Sequence, residues 1–287
     1  MPFFNLFRRQ AFRPSWEYTT KGILWRIQPA SGGMLVGEER DIETRTASFF
    51  CVELSGGRSL WKEQTYGEQW WTGIETVYRD TLLLHGYASP DMPEHRGITG
   101  VDIATGTLLW QNSELSCVAT LQGNVRATRT RGDTTVLCEL DRRTGAMVRE
   151  IGPDSPDGTA SRHGSDEFLN DVRYPESLPE GETGRADLSW LISGANPAGP
   201  IAGPVEYVEL GDRVVFGFHE RDTTPVQDPP RFRSVLAVVR RARRVPLFRL
   251  AVDEAVPFPA PDAFLVVGET LLFVRGRRTL TAIPVRT

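Results

Sequence analysis

The stretch Val101-Asp-Ile-Ala-Thr-Gly-Thr-Leu-Leu-Trp110 decides the fold, because its pattern recurs. Val52-Glu-Leu-Ser-Gly-Gly-Arg-Ser-Leu-Trp61 aligns with it without a gap. Each copy alternates apolar and polar residues, turns on a glycine, then enters a second apolar run. That is a β-hairpin pattern. Gly57 and Gly106 stand where such a turn calls for positive φ, which glycine adopts without a Cβ clash. Cys138-Glu-Leu-Asp-Arg-Arg-Thr-Gly-Ala-Met-Val-Arg149 is a third copy with a longer turn. Ala237-Val-Val-Arg-Arg-Ala-Arg-Arg-Val-Pro-Leu-Phe248 is a degenerate fourth. Near the start, Ser15-Trp16-Glu-Tyr-Thr-Thr20 is similar to Ser59-Leu-Trp61-Lys-Glu-Gln64.

The marker positions 16, 61, 110, 149 and 248 lie 45, 49, 39 and 99 residues apart. A period of this length, all strands and turns, predicts an all-β, small β-propeller of four-stranded antiparallel blades. Five blades are expected within one domain, at about 23–64, 70–112, 117–151, 204–252 and 254–287 with 14–19; six is the alternative. The last blade pairs the two ends of the chain and removes an exposed sheet edge. Residues 152–203 are rich in Pro, Gly, Asp and Glu. They read as an acidic insertion, with a short helix expected near Asp166–Val172 or Ala186–Ser193.

Gly100-Val-Asp102-Ile-Ala-Thr105-Gly106-Thr-Leu-Leu-Trp110 resembles the repeat of quinoprotein-type (PQQ-like) propellers, in which an Asp, a Thr-Gly turn and a Trp recur. Asp102, Thr105, Gly106 and Trp110 match. Glu53, Gly57 and Trp61 match in part, and Thr144 and Gly145 keep only the turn. The resemblance implies that the Trp docks between neighbouring sheets. The chain has too few blades and lacks the adjacent cysteines of the quinone dehydrogenases, so no cofactor is predicted and PQQ is not expected. Ala47–Cys51, Trp70–Glu75, Pro90–Ile98 and Ala202–Tyr207 also resemble an uncharacterised bacterial domain-of-unknown-function family (4905) of short propeller-like proteins. That resemblance implies the fold and a cytoplasmic setting, and transfers no catalytic residue.

Composition fits a globular protein. Of 287 residues 40% are hydrophobic and 24% charged, and 33 Lys+Arg against 37 Asp+Glu give a net charge of −4. That balance carries no global basic field, so nucleic acid is not an expected partner. The runs Arg240–Arg244 and Arg275–Arg278 read as solvated turns, because no aromatic residues interleave them for base stacking. Cys51, Cys117 and Cys138 are too scattered for a zinc ribbon or a disulfide framework, and read as small apolar residues in a reducing compartment. No run of ~18 apolar residues occurs. The opening Met1–Gln10 has the wrong order for a secretory signal. A monomer without stable membrane association is expected, in the cytoplasm.

Long connections are expected at Arg40–Thr46, Ala88–Gly97, Pro153–Gly203 and Asp222–Arg231, against tight turns at Ser31–Gly33, Arg79–Asp80 and Gly211–Asp212. Loops on a rigid scaffold are the usual carriers of function. The binding candidates are therefore Arg40, Asp41, Glu43, Trp70, Trp71, Glu75, Asp91, Glu94 and His95. His85 to His95 offers two imidazoles and two carboxylates, but its spacing matches no familiar metal motif, and no metal is expected. Arg26, Glu75 and Glu206 are expected to line the channel, with an Arg26–Glu75 pair across adjacent blades. Of Trp70 and Trp71, one is expected to face the core and the other the long loops. The expected function is a non-catalytic scaffold that binds a protein or small molecule on the long-loop face. The alternative is a small-molecule or metal-dependent hydrolase or lyase at the channel mouth. It needs His95 beside Glu75; the scaffold needs an exposed tryptophan.

Overall fold

The computed structural model describes residues 13–87, 94–121, 123–132, 134–152, 171–178, 190, 197–222, 231–242 and 244–285. Every regular element with printed bounds is a β-strand, and all pairings are antiparallel within five sheets. The chain divides into two compact units, Thr20–Asn170 and Met1–Thr19 with Asp171–Thr287.

The first unit holds three four-stranded meanders. The first sheet is β2 (Ile23–Ala30), β3 (Met34–Asp41), β4 (Thr46–Glu53) and β5 (Ser59–Gln64). The second is β6 (Gly73–Tyr78), β7 (Thr81–Tyr87), β8 (His95–Asp102) and β9 (Leu108–Asn112). The third is β10 (Leu115–Leu121), β11 (Asn124–Arg131), β12 (Thr134–Asp141) and β13 (Met147–Ile151). The second sheet is buried on both sides. In β7, Leu82 and Leu84 join a core with Phe49, Trp61 and Tyr66 of the first sheet's side, and Leu83 joins another with Val125, Ala127 and Leu140. Successive strand residues point to opposite faces, so a continuous apolar run feeds two cores at once.

Short-range chemistry builds the repeated turn. Asp102 Oδ1 accepts from the Thr105 amide at 3.0 Å and the Thr105 hydroxyl at 2.9 Å, and the Gly106 amide donates to the Asp102 carbonyl at 2.8 Å. Asp141, Thr144 and Gly145 repeat this set at 2.8 Å throughout. The carboxylate holds the turn closed while the glycine, at φ of 71° or 68°, carries the left-handed residue. The turn then docks on the preceding sheet. A Cβ added to Gly106 would lie 2.8 Å from Trp61 Cδ2, and one on Gly145 2.5 Å from Trp110 Cδ2. The indole N–H groups donate to the Ile103 carbonyl at 2.6 Å and the Arg142 carbonyl at 2.7 Å. Glycine is needed twice over, for its φ and for the space the indole fills.

The connection at Arg40–Thr46 is a correction. It is a tight turn, since β3 runs to Asp41 and β4 begins at Thr46. Asp41 Oδ1 accepts from the amides of Glu43 at 2.9 Å and Thr44 at 3.2 Å. This is the Asp-x-x-Thr turn again, with Arg45 at φ 52° in the glycine's place. The turns at Ser31–Gly33, Arg79–Asp80 and Gly211–Asp212 are tight as read.

The second unit holds two five-stranded sheets. One comprises β15 (Glu176–Leu178), β16 (Ile201–Leu210), β17 (Arg213–Arg221), β18 (Phe232–Arg240) and β19 (Val245–Val256). The other runs β1 (Trp16–Thr19), β22 (Thr279–Pro284), β21 (Thr270–Arg275), β20 (Phe264–Val267) and β14 (Val172–Arg173). The described part of the acidic segment thus forms strands β14 and β15, each pairing with the first strand of a meander. Pairing depends on a partner's open backbone edge, which composition does not reveal. Of the helix expected at Asp166–Val172, residues 166–170 lie outside the described residues, and Val172 stands in strand β14. The one at Ala186–Ser193 lies outside the described residues apart from Trp190, which is buried against Val205, Tyr207 and Phe216.

No helix among the described residues is long and apolar enough to cross a membrane, which leaves β-barrel crossings unaddressed.

Candidate functional site

Three adjacent strands of the second sheet converge on one cluster. His85 and Tyr87 lie two residues apart on β7, so they share a face. His95 opens β8 and pairs directly with Tyr87. Glu75 sits in β6 where the register slips between Ile74 and Thr76, a bulge that re-aims its side chain. His95 Nδ1 and Glu75 Oε2 are 2.7 Å apart. The His85 ring stacks on His95, with centroids 3.6 Å apart and planes 4° from parallel. Tyr87 meets both imidazoles edge-on, at 5.1 and 5.3 Å. Room for His85 comes from Gly73, where a Cβ would lie 2.8 Å from His85 Nε2.

Electrostatics set the state of His85. Burial pushes His85 down to about 4, helped by the neighbouring His95, so its ring is neutral near pH 7. Its Nδ1 lies 3.2 Å from the Gly86 carbonyl, which fixes that nitrogen as the donor of the neutral ring. The His95 side chain is 40% exposed. Cys117 lies close enough that the Glu75 carboxylate adds to burial in pushing its thiol up to about 12.

An aromatic surface lies beside the cluster. The Arg40 guanidinium sits 5.8 Å from the Trp25 ring centroid and 5.1 Å from that of Trp70. It is held there by Glu38 at 2.6 Å, by the Thr72 carbonyl at 3.0 Å and by the Trp70 carbonyl. Arg40 is therefore a brace for the tryptophans, its charge already compensated by a buried carboxylate. Trp25 is 63% exposed and Trp71 37%. Trp71 meets Tyr87 edge-on at 5.8 Å. The two flank a cavity of about 430 Å³ also lined by Glu68, Arg96, Thr99 and Gln111.

The sequence candidates divide accordingly. Glu75 and His95 are brought together, and with Trp70, Trp71 and Arg40 they belong to this region. Asp41 caps its turn and Glu43 is exposed on it. Glu94 is exposed, and Asp91 lies outside the described residues. Trp70 and Trp71 do not enter a strand as expected. They stand in a turn before Gly73, their amides held by Glu68 Oε2, with neither indole in the core. The Arg26–Glu75 pair is corrected too. Arg26 is exposed and donates to the Ile74 carbonyl at 2.6 Å, while Glu75 turns to His95. Glu206 is buried in the second unit, where it accepts from the Asp262 and Ala263 amides at 2.7 and 3.3 Å and anchors that segment.

Sequence reasoning missed Trp25, Tyr87 and the role of His85. The signal for the last two was present, since His85-Gly-Tyr87 places two rings on one strand face. It also missed a cavity of about 650 Å³ in the second unit, bordered by Arg173, Tyr174, Glu176, Tyr207, Glu209 and Arg241. Glu176 of strand β15 lines it, and the Tyr207 hydroxyl donates to that carboxylate at 2.8 Å.

Residues 29–110 match the profile of a family described as "Domain of unknown function (DUF4905)". No curated protein matches the chain. Three solved structures are similar to it. "The beta-propeller domain of the Trilobed protease from Pyrococcus furiosus" shares 10% identity over 87% of this chain and 62% of that one, with a TM-score of 0.31. "Structure of Dos1 propeller" shares 8% over 95% and 55%, with a TM-score of 0.27. The "member of duf4221 family from Bacteroides vulgatus" shares 8% over 95% and 97%, with a TM-score of 0.33. The chain thus spans less than two thirds of the first two.

Proposed function

We propose that this chain is a non-catalytic binding module, its five sheets serving as the blades of a propeller, and that it takes a small polar ligand beside Trp71. The cavity flanked by Trp71 and Tyr87 carries this reading. Two aromatic faces offer apolar contact, and Glu68, Arg96, Thr99 and Gln111 offer fixed hydrogen-bonding groups, the usual make-up of a ligand pocket. Glu68 supports it by accepting from the Trp70 and Trp71 amides, which leaves the backbone beside the pocket little freedom to lose on binding. The thiols of Cys51, Cys117 and Cys138 are free, in keeping with a reducing, cytoplasmic setting.

Native mass spectrometry of the chain purified from its own host tests the proposal. The expected result is an added mass that Trp71→Ala loses. An added mass that survives Trp71→Ala moves the ligand elsewhere, and a bare chain mass from host cytosol counts against a tightly held ligand.

A second reading rests on the 2.7 Å contact of Glu75 with His95. A carboxylate that orients an imidazole is the arrangement of a general base. This hydrolase or lyase reading predicts turnover that His95→Gln abolishes while Trp71→Ala changes only substrate affinity.

A further inference from the structure

Glu75, His85 and His95 come from β6, β7 and β8, neighbours in one sheet, and each offers a ligand atom within 4.8 Å of the others. Two imidazoles and one carboxylate are the donor set of an open zinc-type site, three protein ligands with room for water or a further donor. We propose that these three residues bind one divalent transition-metal ion of the zinc class. Nitrogen donors disfavour calcium and magnesium, which take oxygen ligands.

The ligand-free geometry shows what binding would change. The rings are stacked, so their lone pairs lie in two separate parallel planes and do not meet at one shared position. Coordination at about 2.1 Å, with donors roughly 3.4 Å apart in a tetrahedron, requires one ring to tilt out of the stack. His95 is the ring free to do so. Its side chain is 40% exposed and it stands at the first residue of β8, whereas His85 is buried against Gly73. The His95–Glu75 contact is then exchanged for two bonds to the ion.

The three ligands lie outside the cavity lining, though Tyr87 touches both, and the test separates the two sites. Chelator-treated protein of this whole chain is titrated with Zn²⁺ by calorimetry and with Co²⁺ by visible absorption. One ion per chain is expected, with the intense d–d bands of four- or five-coordinate Co²⁺. His95→Ala, half-exposed and so tolerable to the fold, should weaken binding by about tenfold or more. Glu75→Gln should do the same, and Asp141→Ala, in a turn of the third sheet, should leave binding unchanged. Circular dichroism of each variant confirms that it is folded. Absence of binding by the wild type, or equal binding by folded His95→Ala, overturns the site.

Discussion

The two compact units join their sheets by different means. In the Thr20–Asn170 unit each sheet passes a tryptophan to the next one's turn: Trp61 over Gly106, then Trp110 over Gly145. The chain of docking ends at the third sheet, where position 149 is arginine, bonded back to Glu139 of its own sheet at 2.8 Å. In the other unit no described turn glycine faces an indole; a buried tryptophan, Trp190, instead has its ring centroid 5.6 Å from the Arg244 guanidinium. The unit's repeat turn reads Arg240-Arg-Ala-Arg-Arg244, with Arg244 at φ 51° and no capping Asp. There Val208, Val215, Leu236, Phe264 and Phe273 form one aliphatic-aromatic core between the two sheets, and β14 and β15 broaden both. A short motif can therefore carry inter-sheet recognition by itself. Where it lapses, packed surface and added strands take over.

The sharpest way to break this contrast is Trp110→Ala. It removes a buried indole and leaves the Arg142 carbonyl without its donor. A loss of about 3–5 kcal/mol is expected by urea denaturation. A loss under about 1 kcal/mol would show that the interlock is decorative. Gly145→Ala and Gly268→Ala form the next test. Both glycines have positive φ, at 68° and 57°, but only Gly145 faces an indole; nothing lies within 4 Å of a Cβ on Gly268. Gly268→Ala should cost about 1 kcal/mol, the left-handed penalty alone, and Gly145→Ala at least twice that. Equal costs would remove the indole from the explanation.

Asp141→Ala should cost about 1 kcal/mol, the worth of a cap, read as a shift in thermal midpoint. The matching Asp41→Ala should cost a similar amount, with no effect on ligand mass, because Asp41 serves its turn. The smallest effect concerns pH. His219, in the other unit, is buried, its Nδ1 has no partner among the described residues, and burial pushes its pKa below 6.5. The unfolded chain then binds the proton more readily. Stability should fall as pH drops below about 6.5, and this slope should flatten in His219→Gln. An unchanged slope would assign the acid sensitivity elsewhere.

The sequence by itself determined the local units. Alternation specified strands, and the Asp-x-x-Thr-Gly spacing specified turns, because both act within five residues and need no distant partner. The Trp at a fixed distance after the glycine even marked the surface that docks. Tertiary structure decided the rest. Glu75 and His95 are twenty residues apart, and only the β6 bulge with the β7–β8 register sets them at 2.7 Å. Val172–Arg173 and Glu176–Leu178 of the acidic segment became strands because two sheets offered them open edges. Arg40 became a brace because Trp25, Trp70 and Glu38 met around it. Side-chain period is encoded residue by residue; convergence across strands is a property of register, and register is settled only when the sheets pack.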